Sequence, residues 1–238
     1  MGFTDTSTGN LAFHVGDDPI KVAANRAGLD AFLSAPGCGP VQLQYMNQVH
    51  GRDVAAITSA QGSGRAPTAD AMVSRGAALA VMVADCVPVV LVGDTADGSP
   101  VLAVAHAGRP GVQHGVIDAT VRHMRAEGAL SIEAWLGPSV CGRCYEVPAQ
   151  LREAVAAVVP EAYATTSWGT PSLDLPAAVR AQLAAHSVTI HTPGPCTLEH
   201  PEFFSHRRAV RDGEAEGRLI GFVAAPQPLD PATEGTHA

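Results

Sequence analysis

Apolar positions fall along the chain in two rhythms. Dense runs rich in valine and alanine, at 41–46, 54–58, 78–83, 89–92 and 101–105, predict strands, and those at 78–83 and 89–92 predict buried ones. Asn47-Gln48-Val49-His50-Gly51 reads as the turn joining the first two. Helical spacing marks four longer stretches. The first, 20–33, is opened by Asp17-Asp18-Pro19, which places acid and proline at a helix start. The second, 112–127, carries Val112, Ile117, Val121 and Met124 on roughly one face. The third, 148–159, is stopped by Pro160, and the fourth, 176–186, has Asp174 as its N-cap. This mixture predicts an α/β or α+β fold. No linker separates large blocks, so 1–224 is expected to be one catalytic domain, 61–67 a surface loop and 225–238 a flexible tail.

Composition narrows the picture. The 238 residues are 46% apolar and only 16% charged, enough for a large packed core. The formal net charge is −8 and there is no basic run, which argues against a nucleic-acid partner but not against a small anion. The longest apolar run, 77–92, is broken by Asp85 and Pro88 and falls short of the ~20 residues that span a bilayer. No basic-then-apolar leader pattern opens the chain, and its five cysteines are irregularly spaced. The expectation is a cytoplasmic protein with reduced thiols and no membrane partner.

Three residues occupy strand ends or turns, where α/β folds present chemistry. His50 lies in the 47–51 turn, Cys86 follows Ala84-Asp85 after an apolar strand, and His106 ends the next strand before Ala107-Gly108. Two imidazoles and a thiolate suit zinc with a fourth position open. The same pattern also fits a Cys86 nucleophile with His106 as its base, or an inert core thiol beside hydrogen-bonded histidines. Asp70 and Asp85 read as proton carriers, as partners that orient a ligand histidine, or as turn caps. Cys141-Gly142-Arg143-Cys144 is a lone C-x-x-C pair, a weak zinc signal; it reads as a thioredoxin-like pair at a helix start or, favoured here, as two thiols in a glycine-rich loop lining a pocket. Ser205-His206-Arg207-Arg208 follows Phe203-Phe204 and offers either an anion site or a solvated basic patch.

In order along the chain, Asn47-Gln48-Val49-His50-Gly51, Ala69-Asp70-Ala71, Ala84-Asp85-Cys86 and Ala105-His106-Ala107-Gly108 resemble the YfiH/YlmD family. These are the proteins also called laccase-domain or multicopper polyphenol oxidase-like, peptidoglycan editing factors and purine nucleoside phosphorylases. The resemblance continues through His14-Val15-Gly16-Asp17-Asp18 with Asn25-Arg26, Gly137-Pro138 with Tyr145-Glu146-Val147, Leu173-Asp174-Leu175, and Cys196-Thr197 with Phe203-Phe204-Ser205-His206-Arg207-Arg208. It implies one α/β domain of mixed sheets layered with helices, similar to cytotoxic-necrotizing-factor-like cysteine hydrolases.

The resemblance also implies zinc on His50, Cys86 and His106, catalysis by Cys86, His106, Asp85 and Asp70, and substrate contacts from Asn47, His206, Arg207 and Arg208. The implied activity is phosphorolysis of adenosine, guanosine, inosine and methylthioadenosine, with adenosine deamination beside it. Purine nucleoside and phosphate are then the partners of a monomer or small homo-oligomer. A polyphenol oxidase would need several copper sites, and one three-ligand centre is legible here. The rivals are a cysteine hydrolase acting on a peptidoglycan precursor and a non-catalytic partner protein. The chain departs from the family pattern where His-Ala-Gly-Trp-Arg-Gly becomes His106-Ala107-Gly108-Arg109-Pro110-Gly111, and where Ser-Tyr-Arg-Arg becomes Ser205-His206-Arg207-Arg208. It also lacks the family's arginine and paired glycines between Phe3 and Phe13.

Overall fold

Along Ala78–Val83 the side chains alternate between two destinations, as a strand's period of two requires. Leu79, Val81 and Val83 enter one apolar layer; Ala80 and Met82 enter another. The computed structural model describes residues 1–34, 39–58, 66–191 and 194–225. Its elements run β1 (Gly2–Phe3), α1 (Pro19–Leu33), β2 (Leu43–Gln44), β3 (Val54–Ile57), β4 (Ala71–Ser74), β5 (Ala78–Val83), β6 (Val87–Asp94) and β7 (Val101–Ala107). There follow α2 (Arg109–His114), α3 (Val116–Ala126), β8 (Ser131–Leu136), α4 (Ala149–Ala156), β9 (Tyr163–Thr165), β10 (Pro171–Leu173), α5 (Leu175–Ala185), β11 (Thr189–His191), α6 (His206–Asp212) and β12 (Leu219–Val223).

Two mixed sheets stack face to face. One has the order β1-β12-β5-β2 and the other β11-β8-β6-β7-β4-β3, while β9 and β10 form a separate ribbon. Between the sheets lie Leu79, Val81, Val83 and Leu219 from the first and Met72, Val90, Leu102 and Val104 from the second. The outer face of the first sheet, with Ala80, Met82 and Ile220, is covered by Leu29 of α1 and by Leu11. The outer face of the second, with Val89, Leu91, Ala103 and Ala105, is covered by Ile117 and Val121 of α3 and Val179 and Leu183 of α5. The result is a four-layer α/β/β/α domain of mixed sheets.

The expected strands and helices are present, with shifted ends. The 20–33 helix begins at Pro19 with Asp18 capping the Ile20 N–H, and the 176–186 helix begins at Leu175 with Asp174 accepting from Ala177 N–H. The 112–127 helix is two helices, because Gly115 adopts φ 80° between α2 and α3. The larger correction concerns 41–46 and 54–58. These strands shrink to β2 and β3, which belong to different sheets, so 47–51 is a crossover between layers and not a hairpin turn. Residues 61–65 of the expected surface loop and 226–238 of the expected tail lie outside the described residues. Among the described residues no helix is long and apolar enough to cross a membrane.

Candidate active site

The chain passes between the stacked sheets twice near one place, once from β2 to β3 and once from β5 to β6. Each crossing carries a non-glycine residue with positive φ: His50 at 59° and Asp85 at 83°. Such conformations are costly and persist only where the surroundings hold them. The β2–β3 crossing delivers His50 and the β5–β6 crossing delivers Cys86. His106 arrives on β7, on the face shared by Leu102 and Val104, which is turned toward the other sheet. The ligand atoms of His50, Cys86 and His106 lie within 4.8 Å of one another. The two imidazoles meet edge to face, with centroids 4.7 Å apart. Gly108 closes over them: a Cβ there would stand 2.7 Å from His50 Cδ2 and 3.1 Å from Cys86 Sγ.

Asp70, fully buried at the start of β4, organises this triad. Its carboxylate accepts the backbone N–H groups of Val49 (3.2 Å), His50 (2.9 Å) and Gly51 (2.6 Å), which fixes the strained crossing. It also takes His106 Nδ1 at 2.8 Å, so that Nε2 is the nitrogen left for the centre. Burial pushes the Asp70 carboxyl upward, but these hydrogen bonds win and hold it below its ordinary value. Burial likewise opposes charge on Cys86 and His106, yet each faces the other's charge. The thiol is pulled down to about 6 and the imidazole is pushed up to about 9, with His50 and Asp70 adding to the effect.

Asp85 is held from three sides. Thr197 Oγ1 donates to one carboxylate oxygen at 2.6 Å, the Arg207 N–H to the other at 2.7 Å, and the Val140 N–H to the backbone carbonyl at 2.9 Å. These bonds pin the left-handed residue that precedes Cys86. The adjacent arginines diverge. Arg208 spends its guanidinium on the carbonyls of Thr197 (2.7 Å) and Phe203 (2.6 Å) and beside Glu214. The Arg207 guanidinium, among the described residues, bonds only the Glu146 carbonyl (2.9 Å), lies over the Tyr145 ring and lines the cleft.

The cleft has two lobes that share His50, Ala84, Cys86 and His206. One, about 300 Å³, is bordered by His14, Gln48, Met82 and Arg218. The other, about 380 Å³, is bordered by Arg109, Tyr145, Leu175 and Arg207. The structure thus brings together His50, Cys86, His106, His206 and Arg207, with Asp70 and Asp85 directly behind them. Asn47 is apart: its side chain donates to the Ala66 carbonyl, and it lines neither lobe. Gln48, Tyr145 and Arg218 also line the cleft, and nothing in the residues alone singles them out beyond the place of Gln48 and Tyr145 beside His50 and Glu146. Gln48 is fixed by paired bonds to the Met82 backbone. The Asn25-Arg26 motif acts one layer back. Arg26 lies over the Phe13 and Tyr45 rings and donates to the Leu11 carbonyl, which sets the loop presenting His14.

The donor set fits a metal ion. Two imidazoles and one thiolate converge, a buried carboxylate orients one imidazole, glycine leaves space against all three, and both lobes open onto His50 and Cys86 while one also reaches His106. Among the described residues a second group, Cys141, Cys144, Cys196 and Glu199, also converges. The C-x-x-C pair therefore lines neither lobe, and no helix starts at it, which removes the thioredoxin-like arrangement.

A family model described as multi-copper polyphenol oxidoreductase laccase matches residues 3–226. A protein of Streptomyces coelicolor named purine nucleoside phosphorylase is 48% identical over 237 residues, covering 94% of both chains. A Mycobacterium tuberculosis protein of the same name is 44% identical, covering 87% of this chain and 82% of its own. The crystal structure of YlmD from Geobacillus stearothermophilus superposes with a TM-score of 0.76 at 32% identity, over 92% of this chain and 85% of that one. A Neisseria meningitidis protein assigned to the DUF152 family gives a TM-score of 0.74 at 32% identity, over 95% and 91%.

Proposed function

The chain belongs to the multi-copper polyphenol oxidoreductase laccase family, whose relatives include proteins named purine nucleoside phosphorylase, and from that premise we propose that it is a zinc-dependent purine nucleoside phosphorylase of the cytoplasm. The observation that carries this reading is the two-lobed cleft meeting at His50 and Cys86, with two arginines in one lobe only. Phosphorolysis needs an anion site beside a sugar–base bond, and this division supplies one.

In this reading Arg109 and Arg207 hold phosphate, with paired donors aimed at its oxygens. Its oxygen attacks C1′ of the ribose, the bond to the purine nitrogen breaks, and the purine takes up the electron pair and a proton. The purine occupies the lobe of His14, Gln48 and Met82. Burial first, then Arg218, holds His14 below its ordinary value, so the neutral imidazole offers an acceptor to the base. His206, at the border of both lobes and steadied by Glu216 at 3.0 Å, is placed to pass the proton. His50, Cys86 and His106 hold zinc, which supplies Lewis-acid charge where the lobes meet. Asp70 and Asp85 serve as positioning residues, because their oxygens are already engaged. Adenosine deamination is proposed at the same centre: water adds to C6 of the purine, the C6–N6 bond breaks, and His206 hands a proton to the departing ammonia. A blue-copper arrangement would want a thioether at the triad, whereas the Met82 sulfur takes a hydrogen bond from Arg26.

One observation favours a second reading. The Cys86 thiol, the His106 imidazole and the Asp70 carboxylate form a chain of the kind that activates a nucleophilic cysteine. Purified protein incubated with adenosine separates the two. The phosphorylase reading expects adenine only when phosphate is present, and inosine with or without it. Absence of both products, together with rapid alkylation of Cys86 in protein as purified, would replace it with the hydrolase reading.

A further inference from the structure

The strongest feature outside the cleft is the second convergence of thiols. Cys141 and Cys144 lie in the loop between β8 and α4, and Cys196 and Glu199 lie in the segment between β11 and α6. Each residue of the first pair meets one 55 positions further along the chain, Cys141 with Cys196 and Cys144 with Glu199. The two halves are built alike. In each, the first residue's carbonyl accepts the N–H three positions on: Cys144 N–H to Cys141 at 3.0 Å, and Glu199 N–H to Cys196 at 3.2 Å. In each, that carbonyl also takes the next N–H, from Tyr145 and from His200. Two tight x-x turns thus face one another and point one side chain from each end inward. A parallel bridge between Ser139 and Cys196 fixes their spacing.

The four donor atoms lie within 4.8 Å of one another. Zinc–sulfur bonds of ~2.3 Å give a tetrahedral edge of about 3.8 Å, so small side-chain rotations close the set. The Cys144 sulfur is already 3.5 Å from Glu199 Oε1, and the Cys141 N–H donates to the Cys196 sulfur at 3.3 Å. Three thiolates and a carboxylate would leave excess negative charge around a divalent ion. Arg143, between the two cysteines in sequence, stands 3.4 Å from both Glu199 oxygens and offsets part of it.

We propose that Cys141, Cys144, Cys196 and Glu199 form a second, structural metal site for a divalent zinc-like ion. Binding releases the three thiol protons and replaces them with three sulfur–metal bonds and one oxygen–metal bond. All four positions come from the protein, so the site is closed, the mark of a structural centre. Its place explains its use. The loop it ties on one side carries Val140 and Tyr145, and the segment on the other carries Thr197 and leads into α6 with Arg207. These are the groups that clamp Asp85 and line the arginine lobe. The ion would staple two loops with little regular structure of their own behind the Cys86 turn.

The test is metal content per chain in protein purified without chelator under reducing conditions, for wild type, Cys86→Ala, Cys196→Ser and Glu199→Gln. The difference between wild type and Cys196→Ser reads this site whatever occupies the cleft. The proposal expects that difference to be one zinc per chain, with Cys86→Ala keeping this ion. Glu199→Gln should hold it at least tenfold more weakly in chelator competition. Cobalt exchanged into Cys86→Ala should give the intense thiolate-to-metal absorption of a sulfur-rich tetrahedral site, which needs no variant at the site itself. Equal metal in wild type and in folded Cys196→Ser would overturn the proposal. So would a cobalt-treated Cys86→Ala without that absorption, or a Cys141–Cys144 disulfide in freshly purified protein.

Discussion

The two cysteine centres of this molecule are built on opposite plans. Around Cys86 three donors come from two strained sheet-to-sheet crossings and a central strand, and one side is left to a cleft. Around Cys196 four donors come from two relaxed turns, and neither lobe reaches them. The first is held by backbone N–H groups that donate to a buried carboxylate; the second is held by its own turns, by the bridge between Ser139 and Cys196 and by the Cys141 N–H donating to the Cys196 sulfur. The difference teaches where stability and chemistry are placed. The open centre relies on Asp70 and Asp85 behind it, and Asp85 in turn relies on loops that the closed centre ties together.

The largest effect should come from breaking the support of the open centre. Asp70→Ala leaves three backbone donors and His106 without their acceptor, and should cost about 3–5 kcal/mol in urea unfolding, together with all activity. A loss below about 1 kcal/mol would mean that the crossing is held by something else. Next, Gly108→Ala forces a methyl against His50 and Cys86 and should cost about 1–3 kcal/mol. It should remove metal from the open centre while leaving the closed centre loaded. Loss of both ions together would show that the centres are not separable.

The adjacent arginines sharpen the contrast further. Arg207→Ala should raise the KM for phosphate about tenfold, the effect of losing about 1.4 kcal/mol, with the melting temperature nearly unchanged. Arg208→Ala should leave that KM alone and lower the melting temperature by about 2–4 °C for each kcal/mol of lost carbonyl bonds. The reverse pattern would exchange their roles.

The smallest effect concerns pH. In metal-free protein, alkylation of Cys86 should rise through about pH 6 and level off, where an ordinary thiol rises near 9. The pair should nevertheless add almost no pH dependence to stability. Lowered Cys86 gains stability as pH rises from about 6 toward 9, while raised His106 loses it from about 6.5 to 9. The two slopes are opposite and cancel, because the folded and unfolded chains then bind the same number of protons. An alkylation midpoint near 9 would contradict the charged pair.

Much of this was legible in the residues. Apolar runs marked β5, β6 and β7, caps marked α1 and α5, and strand-end position together with motif order marked His50, Cys86 and His106. Pairing was not legible. Nothing local tells that β2 and β3 enter different sheets, since the 47–51 segment has turn chemistry either way. Short edge strands such as β9, β10 and β11 carry three residues each, too few for a period to show. Leu219–Val223 is apolar enough, but its partners are β1 at the start of the chain and β5 at 78–83, both far away in sequence. Cys196 and Glu199 could not be joined to Cys141 and Cys144, because their spacing is set by tertiary packing. The split between Arg207 and Arg208 depends on which carbonyls lie within reach, and a sequence does not display them.

The most direct test of the central claim is the product balance from adenosine and phosphate with wild type and Cys86→Ala at equal concentration. Wild type should give ribose 1-phosphate equal to the sum of adenine and hypoxanthine, and Cys86→Ala should give none of the three. Adenine release at the same rate without phosphate, or from Cys86→Ala, would contradict it.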